Sequence, residues 1–307
     1  VRRSMAQPVG EAEAGSHNTT LEGSRMGFEV SPVLVGQGLE FAEGINFDRD
    51  GMLYCVDIPR GAVCRQEADG ALKAWVHTGG GPNGSRFGPA GDLFIADCGK
   101  RSILRLSTKT PTYTVYADQF LGNPLAGPND LCFGPDGTLY FTDPFNSSFS
   151  NPIGCVYAVA TDGAVSRVAE GLAFPNGLAV TGDGLTLIVG ETHTGTLHRY
   201  ALSPADRFAE QPPLAVISPA AETPDEAGPD GMAFGDDGYL YIAHYGTGQV
   251  QVVAPNGEIV AHLPSGGPTP TNVAFRDRSL YVTEGTGGAI YRLDIGVGEL
   301  KPFMRPW

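Results

Sequence analysis

Residues 126–143 have the sequence AGPNDLCFGPDGTLYFTD, and the fold follows from this stretch. A polar pair, Asn129 and Asp130, stands at the head of a short apolar run that ends at Phe133. A Gly-Pro-Asp-Gly turn follows, and a second apolar run leads to Asp143. Two apolar runs separated by a glycine-containing turn predict a β-hairpin. The polar pair and Asp143 are therefore expected to meet at the open end of this hairpin.

The same order of polar head, turn and returning apolar run occurs six times. The heads are Glu43, Asn83, Asn129, Asn176, Asp230 and Asn272. Successive heads are 40, 46, 47, 54 and 42 residues apart, which is the length of a four-stranded propeller blade. Third and fourth strands follow the hairpins, for example at 195–200 and 165–169. The sequence predicts an all-β, six-bladed β-propeller with a central metal-binding channel, in preference to a β-sandwich with incidental turns.

The predicted propeller is a single domain over 27–307. An extra strand at 28–35 is expected to pair with the last blade and close the ring, which removes an exposed sheet edge. Residues 1–26 are polar and lack the apolar core of a signal peptide, so we expect a disordered lead-in. No apolar run reaches the roughly 20 residues of a transmembrane helix.

Charge and cysteine content restrict the partners and the compartment. The formal net charge of −14 argues against nucleic acid or an anionic membrane as partner and suits a small neutral ligand or a cation. The five cysteines show no C-x-x-C spacing of the metal-binding kind. Reduced thiols and a cytoplasmic location are expected, with a Cys55–Cys64 bridge across one hairpin as the alternative. The sequence does not indicate the oligomeric state.

Propeller geometry gathers the heads at one mouth of the channel, because the first strand of every blade lines it. The ends of the second strands return to the same mouth, which should also collect Asp57, Asp97, Asp143, Glu191, His193, His244 and Glu284. Two carboxylates plus amide oxygens form a hard donor set that suits Ca²⁺ and accepts Mg²⁺, Mn²⁺ or Zn²⁺. Asn and Asp also begin strands simply as turn residues. Glu43 is not a turn residue, and this favours the metal interpretation for the set.

The chain resembles the gluconolactonase/SMP-30 (regucalcin) family of six-bladed lactone hydrolases over 39–293. The resemblance is carried by AEG at 42–44, PND at 128–130 with FTDP at 141–144, PNG at 175–177 and PDG at 229–231. It implies one catalytic divalent metal ion, Ca²⁺ first, in the channel. The implied ligands are Glu43, Asn176 and Asp230, with Asn129 as fourth ligand or substrate contact.

One position departs from the sugar-lactone members of the regucalcin type. Those members carry an arginine two residues before the third-blade asparagine, where this chain has Gly127. Arg86, just after the second head, could supply a cation instead, although a solvated surface position is the favoured interpretation. The departure bears on which lactone binds and leaves the metal ligands unchanged.

The resemblance implies a metal-dependent hydrolase that opens a sugar-acid lactone or a related small lactone. Asp230 would take the proton of a metal-activated water. The expected substrate contacts are Asn83, Asn129, Asp143, His193 and His244. The alternatives are an organophosphorus-type hydrolase, a lyase or isomerase acting on an enol-lactone, and a non-enzymatic binding propeller. A serine hydrolase is not indicated, since the sequence contains no Gly-x-Ser-x-Gly.

Overall fold

The computed structural model describes residues 30–219 and 227–300, and within these two ranges every regular element is a β-strand. The strands form six antiparallel four-stranded sheets and one two-stranded hairpin. The prediction of an all-β, six-bladed propeller is confirmed. No helix in the described residues is long and apolar enough to cross a membrane.

Each blade takes its strands from one continuous stretch of chain, except the last. Blade one contains β2 (Ala42–Phe47), β3 (Leu53–Asp57), β4 (Ala62–Gln66) and β5 (Leu72–His77). Blade two contains β6 (Pro82–Phe87), β7 (Leu93–Asp97), β8 (Ser102–Leu106) and β9 (Tyr113–Ala117). A short hairpin, β10 (Gln119–Phe120) and β11 (Asn123–Pro124), precedes blade three. Blade three contains β12 (Leu131–Phe133), β13 (Leu139–Asp143), β14 (Gly154–Val159) and β15 (Val165–Leu172).

The remaining blades follow the same order. Blade four contains β16 (Pro175–Val180), β17 (Thr186–Glu191), β18 (Thr196–Ala201) and β19 (Glu210–Val216). Blade five contains β20 (Gly228–Phe234), β21 (Leu240–Tyr245), β22 (Gln249–Val253) and β23 (Ile259–Pro264). Blade six contains β24 (Pro270–Arg276), β25 (Ser279–Glu284) and β26 (Ala289–Leu293). Its fourth strand is β1 (Val33–Gln37) from the beginning of the chain.

The pairing of β1 with β26 closes the ring, as expected for the extra strand. It is antiparallel, with Val33 opposite Arg292 and Gln37 opposite Ala289. The closing strand therefore starts later than predicted. The expected lead-in at 1–26 and residues 28–29 of the predicted strand lie outside the described residues.

The cores lie between neighbouring blades, where the faces of two sheets meet. Aromatic rings from adjacent blades make edge-to-face contacts: Tyr54 with Phe87 at 5.4 Å and Tyr241 with Phe275 at 5.1 Å between ring centroids. Such pairs add about 0.5–1.5 kcal/mol to the free energy gained by burying their area. Each blade thus has a core only when its neighbours are present, and closure by β1 protects the last one.

The strand register aligns the six inner strands and shows that the head of blade six was misassigned. Residues 46, 86, 132, 179, 233 and 274 lie opposite equivalent positions of their second strands. Counting back three residues from them gives the predicted heads in blades one to five, but Thr271 in blade six. Asn272 therefore lies one position further along than the other heads, and its assignment as the sixth head was wrong. Pro270 precedes Thr271 just as a proline precedes the heads of blades two to five, but the alignment followed the asparagine and so moved one residue too far.

All five cysteines are free. Cys55 and Cys64 lie directly opposite each other on β3 and β4, and both are buried. The prediction of reduced thiols agrees with this arrangement, and the alternative bridge is not formed.

Candidate active site

The heads of successive blades pack closely because a glycine follows most of them. A methyl group on Gly44 would lie 2.4 Å from the carbonyl oxygen of Asn83, and one on Gly177 would lie 2.1 Å from that of Asp230. Real Cβ atoms do not approach other atoms this closely, so the inner strands could not pack this way with alanine. The glycines thereby let the heads of adjacent blades approach one another around the channel.

Two blades have a side chain where the others have this glycine. The residues are Asp130 in blade three and Asn272 in blade six, which face each other across a ring of six. The Asp130 carboxylate occupies the space over Gly84, and the Asn272 amide occupies the space over Gly231. Asn272 Nδ2 lies 3.2 Å from both carboxylate oxygens of Glu43. Asp130 therefore joins the channel cluster, although the sequence analysis gave it no role.

Three carboxylates repel one another in this cluster: Glu43 and Asp130 are buried, and Asp230 is half-buried. Burial raises the pKa of Glu43 well above its ordinary value, and the charges of Asp230 and Asp130 raise it further. Burial and the charge of Asp130 likewise raise the pKa of Asp230. Burial raises the pKa of Asp130 to about 6, against the Leu131 N–H and the Arg86 charge, which lower it. A cation among these groups would stabilise their charged forms.

The orientation of the Asn176 amide follows from its hydrogen bonds. Thr192 Oγ1 donates to the carbonyl oxygen of Pro229 at 2.8 Å, so this hydroxyl can only accept from Asn176 Nδ2 at 3.2 Å. Asn176 Oδ1 is thereby left as the outward group. It is buried and has no hydrogen-bond partner among the described residues. Such an acceptor is unfavourable unless another group approaches it.

These donors fit a hard divalent cation. Glu43 and Asp230 supply charge, while Asn176 Oδ1 and Asn129 supply neutral oxygens. Within 30–219 and 227–300, no group of three or more His, Cys, Asp and Glu side chains has a metal-binding arrangement. Amide oxygens therefore have to complete any metal site built on Glu43 and Asp230.

Most of the polar groups at the ends of the second strands hold the chain that leads into the heads. Asp143 accepts hydrogen bonds from the amides of Ala126 at 2.8 Å and Gly127 at 2.6 Å. Carboxylates do the same at four equivalent places, accepting from the amides of Glu40, Gly81, Ala173 and Thr269. Asp143 therefore positions the head of blade three, and its direct contact with substrate stays a prediction.

The two histidines occupy different surroundings. His244 lies opposite Pro229, the residue before the head of blade five. At the equivalent position four other blades have a carboxylate residue. The Nδ1 of His244 is 2.7 Å from Gln251 Nε2, and the histidine is buried. Burial and the charge of His262 lower the pKa of His244 to about 4, so it stays neutral at pH 7. The His193 ring lies 5.3 Å from that of Phe174.

The family follows from sequence comparison. A family model described as the SMP-30/Gluconolactonase/LRE-like region matches residues 41–286. The chain belongs to the SMP-30/gluconolactonase/LRE-like family. Diisopropyl-fluorophosphatase of Loligo vulgaris is 26% identical over 296 residues, with 85% of this chain and 90% of that protein covered. Lactonase drp35 of Staphylococcus aureus is 32% identical over 234 residues, with 74% and 70% covered.

A solved structure in the SMP-30/gluconolactonase/LRE-like family shows the same architecture. The gluconolactonase XC5397 of Xanthomonas campestris is 25% identical, has a TM-score of 0.74, and covers 88% of this chain and 90% of its own. The family predicted from the motifs is therefore confirmed. The roles of individual residues stay predictions.

Arg86 does not have the solvated surface position that the sequence analysis favoured for it. It is half-buried and lines a cavity of about 430 Å³ at the far mouth of the channel. The walls include Phe87, Cys132 and Phe234, and Leu300 closes one side. Arg86 therefore lines the far mouth rather than an open surface, and its charge lowers the pKa of Asp130. It does not replace the arginine that regucalcin-type members of the family carry at the position of Gly127.

Because His244 is buried in its neutral form, we expect it to lower the stability of the fold in acid. Its folded-state pKa is below the ordinary value of 6.5, so the unfolded chain binds more protons between pH 6.5 and 4. The extra proton binding by the unfolded chain is absent above pH 6.5. Below that pH it lowers the free energy of unfolding increasingly as the pH falls. The free energy of unfolding of His244→Gln, measured relative to wild type by denaturant titration, should be about 2–3 kcal/mol higher at pH 4.5 than at pH 7.5. His77→Gln, on an exposed histidine, is the control. A pH-independent difference for His244→Gln would contradict the argument.

Proposed function

We propose that this protein is a divalent-metal-dependent hydrolase that opens a small lactone. The observation that carries the proposal is the channel cluster of Glu43, Asp130 and Asp230 beside Asn176 Oδ1, which has no hydrogen-bond partner among the described residues. Membership of a family whose relatives include a protein named lactonase drp35 supports this reaction class. The small neutral substrate also suits a chain of net charge −14.

Glu43, Asn129, Asn176 and Asp230 are the residues that would hold the ion. Their oxygens favour Ca²⁺, with Mg²⁺, Mn²⁺ and Zn²⁺ as other choices. A bound divalent ion polarises a lactone carbonyl and lowers the pKa of a coordinated water. Asn272, by donating to both Glu43 oxygens, holds that carboxylate in place.

Asp230 is the residue that we assign as general base. It lies in the cluster, where burial and the charge of Asp130 raise its pKa and hydrogen bonds from Gly231 N–H and Asn176 oppose that rise. A bound cation would hold its carboxyl in the charged form that proton abstraction requires. Asn83 and Asn129 would orient the ring oxygen or substituents of the substrate, because an amide binds and orients but does not take a proton at pH 7.

Phosphotriester hydrolysis is the second candidate. Its support is the relative named diisopropyl-fluorophosphatase, which is similar over 85% of this chain. The same carboxylates would serve both reactions, so geometry does not separate them. A pH-indicator assay of aldono-lactones, alkyl lactones, aryl lactones and phosphotriesters does. We expect at least one lactone class to be turned over faster than every phosphotriester, and the reverse order would replace the proposal with its alternative.

Removal of the metal ion should lower the thermal stability of the whole propeller. Ligands from four blades share one ion in this proposal, and the carboxylates of Glu43, Asp130 and Asp230 repel one another without it. Binding at about a thousand times Kd stabilises a fold by about 4 kcal/mol, which at this size corresponds to roughly 5–15 °C in Tm. Chelation should lower Tm by that order, and added Ca²⁺ should restore it. Asn176→Ala should be nearly insensitive to chelator. An unchanged wild-type Tm after confirmed metal removal would count against a tight site.

A further inference from the structure

The six positions that lie two residues before the heads, at the channel mouth, carry no charged side chain. Two residues before the heads stand Phe41, Gly81, Gly127, Phe174, Gly228 and Thr269. None of these side chains is charged, although the cluster below them contains three carboxylates. The mouth therefore gives a substrate no charged partner at these six positions.

A neighbouring aromatic ring covers Gly127. A Cβ on Gly127 would lie 2.7 Å from Phe145 Cβ and 2.9 Å from Phe145 Cγ. Phe145 is the second residue of the loop between β13 and β14, and half of its surface remains exposed (50%). Its ring thus takes the space that a long side chain at 127 would need. It presents an open aromatic surface over Gly127, two residues before Asn129.

A second ring, Phe174, is held in an unusual backbone conformation. Its φ is 63°, in the left-handed region that bulky residues rarely adopt. Its N–H donates to Ser147 Oγ at 3.0 Å, and its carbonyl oxygen accepts from Thr192 N–H at 3.0 Å. Ser147 belongs to the same loop as Phe145, so the backbone of Phe174 is tied to the loop that carries Phe145. Strain of this kind collects at functional sites, where the surrounding structure imposes it.

We propose that Phe145 and Phe174 form an aromatic wall that binds the apolar substituent of an alkyl- or aryl-substituted lactone. The proposal rests on the proposed function and names its substrate class. An apolar substituent gains by leaving water against such a wall. The hydroxyl groups of a sugar lactone would lose hydrogen bonds to water there without replacement. The wall therefore selects substituted, non-sugar lactones.

The test measures how fast the calcium-loaded protein hydrolyses three lactones. They are δ-nonalactone, whose ring carries a butyl group, the unsubstituted δ-valerolactone, and glucono-δ-lactone. We expect kcat/KM to be at least ten-fold higher for δ-nonalactone than for δ-valerolactone, and lowest for glucono-δ-lactone. Phe145→Ala should reduce the ratio of the first two at least ten-fold. Phe174→Gly, which suits the positive φ, should act in the same direction. Phe149→Ala is the matched control, because Phe149 stands on the same loop, is 51% exposed and does not cover Gly127.

Three outcomes overturn the wall. One is a ratio that Phe145→Ala leaves unchanged, and another is a preference for glucono-δ-lactone. The third is an absence of selectivity combined with Phe145-dependent sedimentation on phospholipid vesicles, which would assign the exposed rings to a lipid surface. If no lactone is turned over with any ion, the proposed function fails, and calorimetry still tests the wall. A butyl-substituted δ-lactam should then bind at least ten-fold more tightly than the unsubstituted lactam, and equal affinities would contradict the proposal.

Discussion

Asp230→Asn should lower lactone turnover by about 10²-fold or more, even with saturating metal. The substitution keeps the size of the side chain and one oxygen donor, and it removes the group that accepts the proton. General base catalysis contributes about 10²–10⁴-fold, which sets the expected loss. The measurement is kcat across a Ca²⁺ titration, so that weaker metal binding is separated from lost chemistry. Asp162→Asn, in an exposed turn, controls for the change of charge.

Asn129→Ala gives the contrast to this variant. An asparagine at a head binds and orients, so its loss should raise KM or the metal requirement while kcat changes less. Near wild-type turnover by metal-loaded Asp230→Asn would show that Asp230 is only a ligand. The base would then have to be sought among Asp130, His193 and Asp143.

Gly177→Ala should disrupt the site without touching any functional group. Its new methyl group would lie 2.1 Å from the carbonyl oxygen of Asp230 and 2.8 Å from Gly231 Cα. Both are backbone atoms, so blades four and five must move apart between Asn176 and Asp230. A misplacement of about 1 Å can cost 10²-fold in rate, and overpacking costs typically 1–3 kcal/mol of stability. We expect kcat/KM to fall about 10²-fold and Tm to fall by several degrees.

Gly182→Ala is the matched control for this prediction. Its methyl group would first meet Leu300 Cδ2 at 3.0 Å, which is the end of a flexible side chain at the far mouth. Near wild-type activity is expected for this variant. If Gly177→Ala had the same kinetics as Gly182→Ala, the close packing of the heads would not be required for the site.

Most of the fold could be predicted from the sequence repeat. Six heads at blade-length spacing predicted the six blades, because each blade uses the same hairpin to build its inner edge. Connections outside the repeat were not predictable in this way. The β10–β11 hairpin and the loop carrying Phe145 have no counterpart in other blades, so no period reveals them.

The site was predictable as far as the heads could be aligned. Asp130 was missed because it looked like a partner of Asn129, whereas the register places it where four blades have glycine. A side chain at a position otherwise reserved for glycine was the available signal, and Asn272 shows the same feature. Arg86 was placed on the surface because the sequence does not show that its strand position faces the channel. Pairing with β7 fixes that direction.

We propose that one divalent ion among the channel carboxylates makes this propeller a lactone hydrolase. The most direct test is the rate of lactone hydrolysis by metal-depleted protein during titration with Ca²⁺, Mg²⁺, Mn²⁺ or Zn²⁺, with bound metal quantified in parallel. We predict a rate at least about 10²-fold below that of the loaded protein before addition. It should rise to a plateau at one bound ion per chain. Undiminished hydrolysis by protein shown to be metal-free would contradict the claim, as would no hydrolysis with any of the four ions bound.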